Sequence, residues 1–347
     1  MTTHEFYMKR CIELAKNGLG TTYPNPLVGS VIVHDGKIIG EGWHKKAGEP
    51  HAEVNAVNSV KDKSLLKEAT IYVSLEPCSH FGKTPPCCDL IIANEIPNVV
   101  IGTVDPFAKV AGNGIKKLVE SGKNVTVGIL EDECNELNKR FFTFHQKKRP
   151  YIILKWAETA DGFIAPLSKE QKAPVWITNP YSRQLVHKWR TEEQAILVGT
   201  NTVLDDNPKL DARNFSGNNP IRIVLDKSGK ISKNYHVKDN SQKTIFITES
   251  ENFISTENCI YENAIFDIHL ISSICDILYK NEIQSVIIEG GSKTLQSFID
   301  ANLWDEARVF IGKTTFQNGT TAPIISGNPV AGFDIMNDEL KIFKNYD

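Results

Sequence analysis

The sequence predicts two successive α/β domains, on three observations. Its 347 residues exceed what a single hydrophobic core usually organises. Short apolar runs alternate with segments of helical periodicity along the whole length, the order of layered α/β folds. A charged, proline-ended stretch, His145-Gln-Lys-Lys-Arg-Pro150, interrupts that alternation before a new strand begins at Tyr151. The boundary is placed there, giving domains 1–146 and 147–347.

In the first domain a helical pattern over His4–Gly18 precedes a hairpin through Asp35-Gly36, a dipeptide that supplies the positive φ of a tight turn. A helix follows from His51, a strand over Ala69–Leu75, and further strands near Asn98 and Asn124. In the second domain strands are expected at Tyr151–Lys155, Ala195–Gly199, Ile221–Asp226, Thr244–Thr248, Ser285–Glu289 and Ala307–Gly312, with helices between several of them. No internal repeat relates the halves, so two unlike domains imply two unlike tasks.

Composition sets the surroundings. With 41% hydrophobic and 23% charged residues the chain is of the ordinary globular class. A net charge of −3 and a pI near 6.3 lack the basic excess of proteins that grip nucleic-acid backbones, but admit a small anionic substrate. Seven cysteines, an odd number in a long chain, suit a reducing cytoplasm better than a disulfide framework. No signal-like start and no apolar run of membrane length is found, so a cytoplasmic protein without a membrane partner is expected.

The sharpest chemistry lies in His51-Ala-Glu53, Pro77-Cys78 and Cys87. One imidazole and two thiolates make three zinc ligands and leave the fourth tetrahedral position open, as in a catalytic rather than a structural site. Zinc deaminases carry H-x-E followed by P-C-x-x-C, with the glutamate moving protons beside a metal-activated water. Glu53 takes that place, and hydrolytic deamination is the expected reaction. Here eight residues rather than two separate the cysteines, so a longer loop must fold over the site. Spacing alone leaves Cys88 and His80 as competing ligands; Cys87 is favoured because Pro-Cys repeats the setting of Cys78.

Pro24-Asn-Pro-Leu-Val-Gly29, His51-Ala-Glu53 and Leu75-Glu-Pro-Cys-Ser-His-Phe-Gly-Lys-Thr-Pro-Pro-Cys-Cys88 together resemble the bifunctional RibD family of riboflavin biosynthesis, which has that long loop. The resemblance implies a cytidine-deaminase-like three-layer domain. Its implied substrate is a diaminopyrimidinone bearing a ribosylamino 5-phosphate, deaminated to the corresponding uracil. Asn25, His44 and Lys83 match substrate-touching positions. Asn25 has the donor and acceptor to read a pyrimidine edge, and Lys83 has the charge to meet a phosphate. Where the family usually reads Asp-Pro-Asn-Pro, this chain has Asp105-Pro-Phe-Ala108, and an asparagine contact is lost.

The second half extends the resemblance through Lys155-Trp-Ala-Glu-Thr-Ala-Asp-Gly162, Trp176-Ile-Thr178, Gly199 to Arg213, and Glu289-Gly-Gly291. This implies a dihydrofolate-reductase-like domain that uses NADPH to reduce the ribosyl group to ribityl. No G-x-G-x-x-G follows a strand, so a standard Rossmann site has no support. Instead Glu289-Gly-Gly leads from a strand into a helix near Ser292, whose free amides suit a cofactor phosphate. By the matching motifs, Ala157, Trp176, Thr178, Thr202, Asp206, Gly291, Ser292, Lys293, Thr294, Leu295, Gln296 and Ser297 would contact NADPH. Lys155, Arg190, Leu210, Arg213 and Glu289 would face substrate, the two arginines suiting a ribose phosphate. The chain departs from the family in reading Lys172-Ala-Pro-Val175 before Trp176, where a serine is common, and in holding Lys227 after Asp226.

One zinc ion, NADPH and a phosphorylated pyrimidine are thus the expected ligands, and family symmetry suggests a homo-oligomer. Three rivals stand beside this reading. They are a deaminase of nucleosides or nucleic acid, a second half that binds nucleotide without reducing anything, and a zinc-stabilised scaffold with an idle Glu53.

Overall fold

A computed structural model of the chain describes residues 2–81, 85–106, 112–168 and 174–346 and forms two compact units, Met1–Lys147 and Lys148–Asp347. The first opens with α1 (Thr3–Ala15), started by a capping box in which the Thr2 hydroxyl accepts from the Glu5 N–H while the Glu5 carboxylate accepts from the Thr2 N–H. β1 (Gly29–His34) and β2 (Lys37–Trp43) make the hairpin at Asp35-Gly36, both turn residues having positive φ, 48° and 70°. Next come α2 (Ala52–Ser59), β3 (Thr70–Leu75), α3 (Cys87–Ala93), β4 (Asn98–Thr103) and α4 (Asn113–Glu120). β5 (Asn124–Val127), α5 (Glu131–Leu137) and α6 (Lys139–Lys147) complete the unit.

The strands form one sheet in the order β2-β1-β3-β4-β5, parallel from β3 to β5 and antiparallel elsewhere. Ala56, Val57, Ile91 and Leu118 pack α2, α3 and α4 on one face. Met8, Cys11, Cys134 and Leu137 pack α1 and α5 on the other, giving three layers. One detail departs from expectation: His145–Lys147 does not break the pattern but forms the last turn of α6. Phe141 and Phe144 anchor that helix by burial, and Lys148, at φ 56°, ends it.

The second unit begins with β6 (Tyr151–Glu158), β7 (Phe163–Pro166), α7 (Pro180–Glu192), β8 (Ala195–Gly199), α8 (Thr200–Asp206) and β9 (Ile221–Leu225). β10 (Thr244–Thr248), β11 (Cys259–Asn263), α9 (Leu270–Lys280), β12 (Ser285–Ile288) and α10 (Ser292–Asp300) follow. It closes with β13 (Glu306–Ile311), β14 (Gly319–Thr321), β15 (Ala331–Ile335) and β16 (Asp338–Lys344). The main sheet runs β11-β10-β9-β8-β12-β6-β13-β16-β15, parallel from β11 to β13, with β16 and β15 added antiparallel at one edge.

Helices cover both faces, as an all-parallel stretch of apolar strands demands. Ile274, Leu278 and Phe298 of α9 and α10 lie on one side, and Val186, Trp189 and Val203 of α7 and α8 on the other. The six strands expected from sequence are all central; β7, β11, β14, β15 and β16 were not expected. Among the described residues no helix is long and apolar enough to cross a membrane.

Candidate active sites

In the first unit His51 is the N-cap of α2 but makes no side-chain capping bond, so its ring is free to turn towards the end of β3. What brings α2 there is Gly42: a Cβ on it would lie 2.4 Å from the Ala56 nitrogen and 2.7 Å from the Ala52 oxygen. Only glycine lets strand and helix approach so closely. Asn55 fixes the helix start by donating to the Trp43 and Pro50 carbonyls. Cys78 lies in the turn after β3, and Cys87 begins α3.

These elements bring three ligand atoms within 4.8 Å of one another. His51 Nδ1 is 3.6 Å from Cys78 Sγ and 3.3 Å from Cys87 Sγ, and the Cys87 N–H donates to Cys78 Sγ at 3.3 Å. A tetrahedral zinc ion sets its nitrogen and sulfur ligands about 3.6 Å apart, so donors and spacing fit zinc. The Cys78 thiol is pulled down to about 4, chiefly by its hydrogen bond with Cys87 and, against burial, by His51. Cys87 is pushed up by the same bond and by burial. Cys88, the competing sulfur, faces elsewhere: it is buried and donates to the Pro77 and Gly114 carbonyls at 3.3 and 3.5 Å.

Glu53 is 3% exposed against this group, and burial first, then the charge of Cys78, raises its pKa. His44 is stacked edge-on to His51 with ring centres 5.4 Å apart. Its Nδ1 must donate to the Pro50 carbonyl (3.2 Å), which makes Nε2 the acceptor of the Asn25 amide N–H (3.0 Å). Burial lowers the His44 pKa and favours that neutral tautomer. Asn138 holds the Asn25 loop by pairing with both the N–H and the carbonyl of Leu27 (2.8 and 2.9 Å). Lys83 and Phe107 lie outside the described residues.

In the second unit a cleft of about 730 Å³ gathers nearly all the residues singled out there. Lys155 and Ala157 come from β6, Arg190 from α7, and Thr202 and Asp206 from α8; Leu210 and Arg213 follow that helix. Trp176 and Thr178 enter from the segment before α7. Glu289 and Gly291 leave β12, and Ser292, Lys293, Thr294, Leu295 and Ser297 belong to α10. Gln296 is the exception: its amide nitrogen donates to Asp300 and the Ile324 carbonyl, and its oxygen accepts from the Ile324 N–H. It points along α10 towards a neighbouring loop, not into the cleft.

Glu289 is the electrostatic centre of the cleft. Arg190 grips it with two hydrogen bonds of 3.1 and 2.7 Å, and Lys155 Nζ lies 3.8 Å away. Burial alone would raise its pKa, but Arg190 and then Lys155 bring it to about 2. Lys155 is itself lowered by burial, which Glu289 only partly offsets. Arg190 also donates to the Asp211 carbonyl, whereas Arg213, 44% exposed, pairs with the Asp211 side chain. At the other end Gly290 packs against β8, a Cβ there falling 2.5 Å from the Gly199 nitrogen. Gly291 (φ 36°) starts α10 without a side-chain cap, leaving first-turn amides that suit a ligand phosphate.

Sequence reasoning missed several residues. Glu76, buried two residues before Cys78, and Gly42, packed against the start of α2, carry residue types that gave no chemical signal. His187 lines the cleft and donates from Nδ1 to the Asp211 carbonyl at 3.1 Å. Its spacing to Arg190, one helical turn on the same face, was the available clue. Arg183 lies 4.7 Å over the half-exposed Trp176 ring and donates to the Thr178 carbonyl.

Residues 1–103 match the cytidine and deoxycytidylate deaminase zinc-binding region, and residues 150–331 match the RibD C-terminal domain. The riboflavin biosynthesis protein RibD of Aquifex aeolicus is 42% identical over 319 residues, covering 90% of this chain and 88% of that protein. The chain belongs to the RibD family. The Escherichia coli RibD protein is 37% identical, with 88% of this chain and 87% of that one aligned. Among solved structures, a Thermotoga maritima enzyme superposes with a TM-score of 0.89 at 40% identity, over 99% of this chain and 98% of that one. It is described as a diaminohydroxyphosphoribosylaminopyrimidine deaminase/5-amino-6-(5-phosphoribosylamino)uracil reductase. Acinetobacter baumannii RibD gives 0.90 at 30% identity, over 99% of each chain. As a RibD-family member, the chain is a two-domain riboflavin biosynthesis enzyme with a zinc-binding deaminase domain and a reductase domain, as the motifs implied.

Proposed function

We propose that residues 1–146 deaminate a 2,5-diamino-6-ribosylamino-pyrimidinone 5′-phosphate at C2. Residues 147–347 then reduce the ribosyl group of the resulting aminouracil to ribityl with NADPH. The observation that carries this reading is the convergence of His51, Cys78 and Cys87 beside the buried Glu53, in a chain whose other half holds the Lys155–Glu289–Arg190 cleft.

His51, Cys78 and Cys87 would hold the zinc ion, which when bound supplies a water acidic enough to attack at neutral pH. Glu53 takes the proton of the attacking water and passes it to the departing ammonia. Asn25, its amide nitrogen committed to His44, offers its carbonyl oxygen to the pyrimidine edge. Lys83 would meet the phosphate.

In the second half the uncapped start of α10, with Ala157, Trp176, Thr178, Thr202 and Asp206, would hold NADPH, the hydride source. Arg213 is the arginine freer to take the substrate phosphate, because Arg190 is engaged on Glu289. Lys155, its pKa lowered by burial, stands beside Glu289 to move a proton as the sugar opens to its imine. The test is removal of metal by a chelator, with zinc content measured. Ammonia release from the diaminopyrimidinone should cease and return with zinc, while NADPH oxidation on the deaminated substrate continues. Ammonia release that survives metal removal would overturn the reading.

A further inference from the structure

Two residues before Cys78, the carboxylate of Glu76 is 4% exposed, and among the described residues no cation pairs with it. A buried charge of this kind must be neutralised by dipoles. Here the main chain does it: Oε2 accepts from the Asp105 and Gly112 N–H groups at 3.3 and 2.9 Å, and Oε1 from those of Gly114 and Ile115 at 2.8 and 3.3 Å. The last two belong to the first turn of α4, which has no side-chain cap of its own. Glu76 caps that helix from a neighbouring strand end, with the helix dipole favouring the negative charge.

The consequence reaches the metal group through a short chain of contacts. With α4 drawn in, Gly114 lies against the peptide before Cys78, so closely that a Cβ would fall 2.1 Å from the Pro77 oxygen. Cys88 donates from its thiol to the Pro77 and Gly114 carbonyls and from its N–H to the Cys78 carbonyl at 3.1 Å. The turn bearing Cys78 is thereby clamped between α3 and α4, and Glu76 closes the clamp.

We infer that Glu76 is a positioning residue of the deaminase half, holding the start of α4 against the Pro77–Cys78 turn and so fixing where the Cys78 sulfur sits. Both oxygens must accept, so the specific requirement is a carboxylate. In Glu76→Gln an amide N–H₂ would oppose two backbone N–H donors.

The inference rests on reading His51, Cys78 and Cys87 as a metal site, and the experiment separates the two. Wild type, Glu76→Gln and Glu76→Asp are loaded with cobalt(II), and the thiolate charge-transfer band, the rate of metal loss to a chelator and both activities are recorded. In Glu76→Gln the band should shift, metal loss should quicken about tenfold or more, and deamination should fall about 10- to 100-fold, as when outer partners of metal ligands are removed. NADPH oxidation on the deaminated substrate should be unchanged. Glu76→Asp, which keeps two acceptor oxygens, should recover most of the wild-type band; it also serves if the glutamine variant does not fold. A wild-type protein that gives no thiolate band sinks the metal reading and this inference with it. A normal wild-type band with an unaltered band and release rate in Glu76→Gln, even with a lowered melting temperature, leaves Glu76 an ordinary structural residue and overturns the inference alone.

Discussion

At the scale of single residues, the two sites place charge in opposite ways. Glu53 is buried beside Cys78, and burial and that thiolate's charge outweigh His51 and raise its pKa, which suits the proposed carrier of a proton between water and ammonia. Glu53→Gln is expected to bind zinc at the wild-type stoichiometry yet lose about 10²- to 10⁴-fold in deamination, measured as ammonia release beside metal analysis. Glu289 is buried between two cations, and its pKa falls from 4.5 to about 2. A depressed folded-state pKa contributes stability that is complete above the ordinary carboxylate range and is lost as pH falls through the folded value. The reductase unit should therefore lose that contribution between about pH 4.5 and 2. Acid unfolding of Glu289→Gln should show a shallower dependence over that window, together with loss of NADPH oxidation. An unchanged acid profile would remove Glu289 from the account. The His51–Cys78–Cys87 group and Glu53 were legible because the proposed chemistry needs those side-chain types in that order. Glu76 was not, because a carboxylate that accepts from backbone amides leaves no mark in spacing.

At the scale of elements, function depends on how closely helices approach strand ends. A Cβ at position 42 would overlap the Ala56 nitrogen, so Gly42→Ala must push α2 off β2 and carry His51 with it. A cost of about 1–3 kcal/mol and weakened zinc binding are expected, read by denaturant unfolding and by metal affinity. Zinc affinity equal to wild type would contradict the positioning role of that glycine. In the other unit Arg149 and Asp305 form a bidentate pair of 2.6 and 2.8 Å, 7% and 10% exposed, and Asp305 also accepts from the Ile152 N–H at 2.8 Å. The pair ties the start of β6, the strand that carries Lys155, to that of its neighbour β13. Asp305→Ala should destabilise the unit by about 3–5 kcal/mol, because it strands a buried guanidinium.

The elements most legible in sequence were the central parallel strands, whose apolar runs are buried on both faces. β15 and β16 escaped notice because neither has an apolar run, β15 being half-buried or exposed and β16 buried or half-buried along its length, and β7 and β14 because they are only four and three residues long. α6 was not expected, and its end at His145–Lys147 was read as a break because the stretch is charged and polar, although Phe141 and Phe144 hold the helix from within.

At the scale of the whole molecule, one chain carries two reactions whose chemistries share nothing but a substrate skeleton. Damage should therefore stay in the half where it is made. Removal of metal, or Cys78→Ser, should abolish ammonia release and spare NADPH oxidation on the deaminated substrate, and Arg213→Ala should do the reverse. The measurement that bears most directly on the account supplies the zinc-loaded protein with the diaminopyrimidinone ribosylamino phosphate, with and without NADPH. Ammonia and oxidised cofactor are then counted in the same vessel. The account requires ammonia in both cases and, with NADPH present, one cofactor oxidised per ammonia released at completion. Ammonia without cofactor oxidation would show that the second half is no reductase for this product, and no ammonia at all would contradict the substrate assigned to the first.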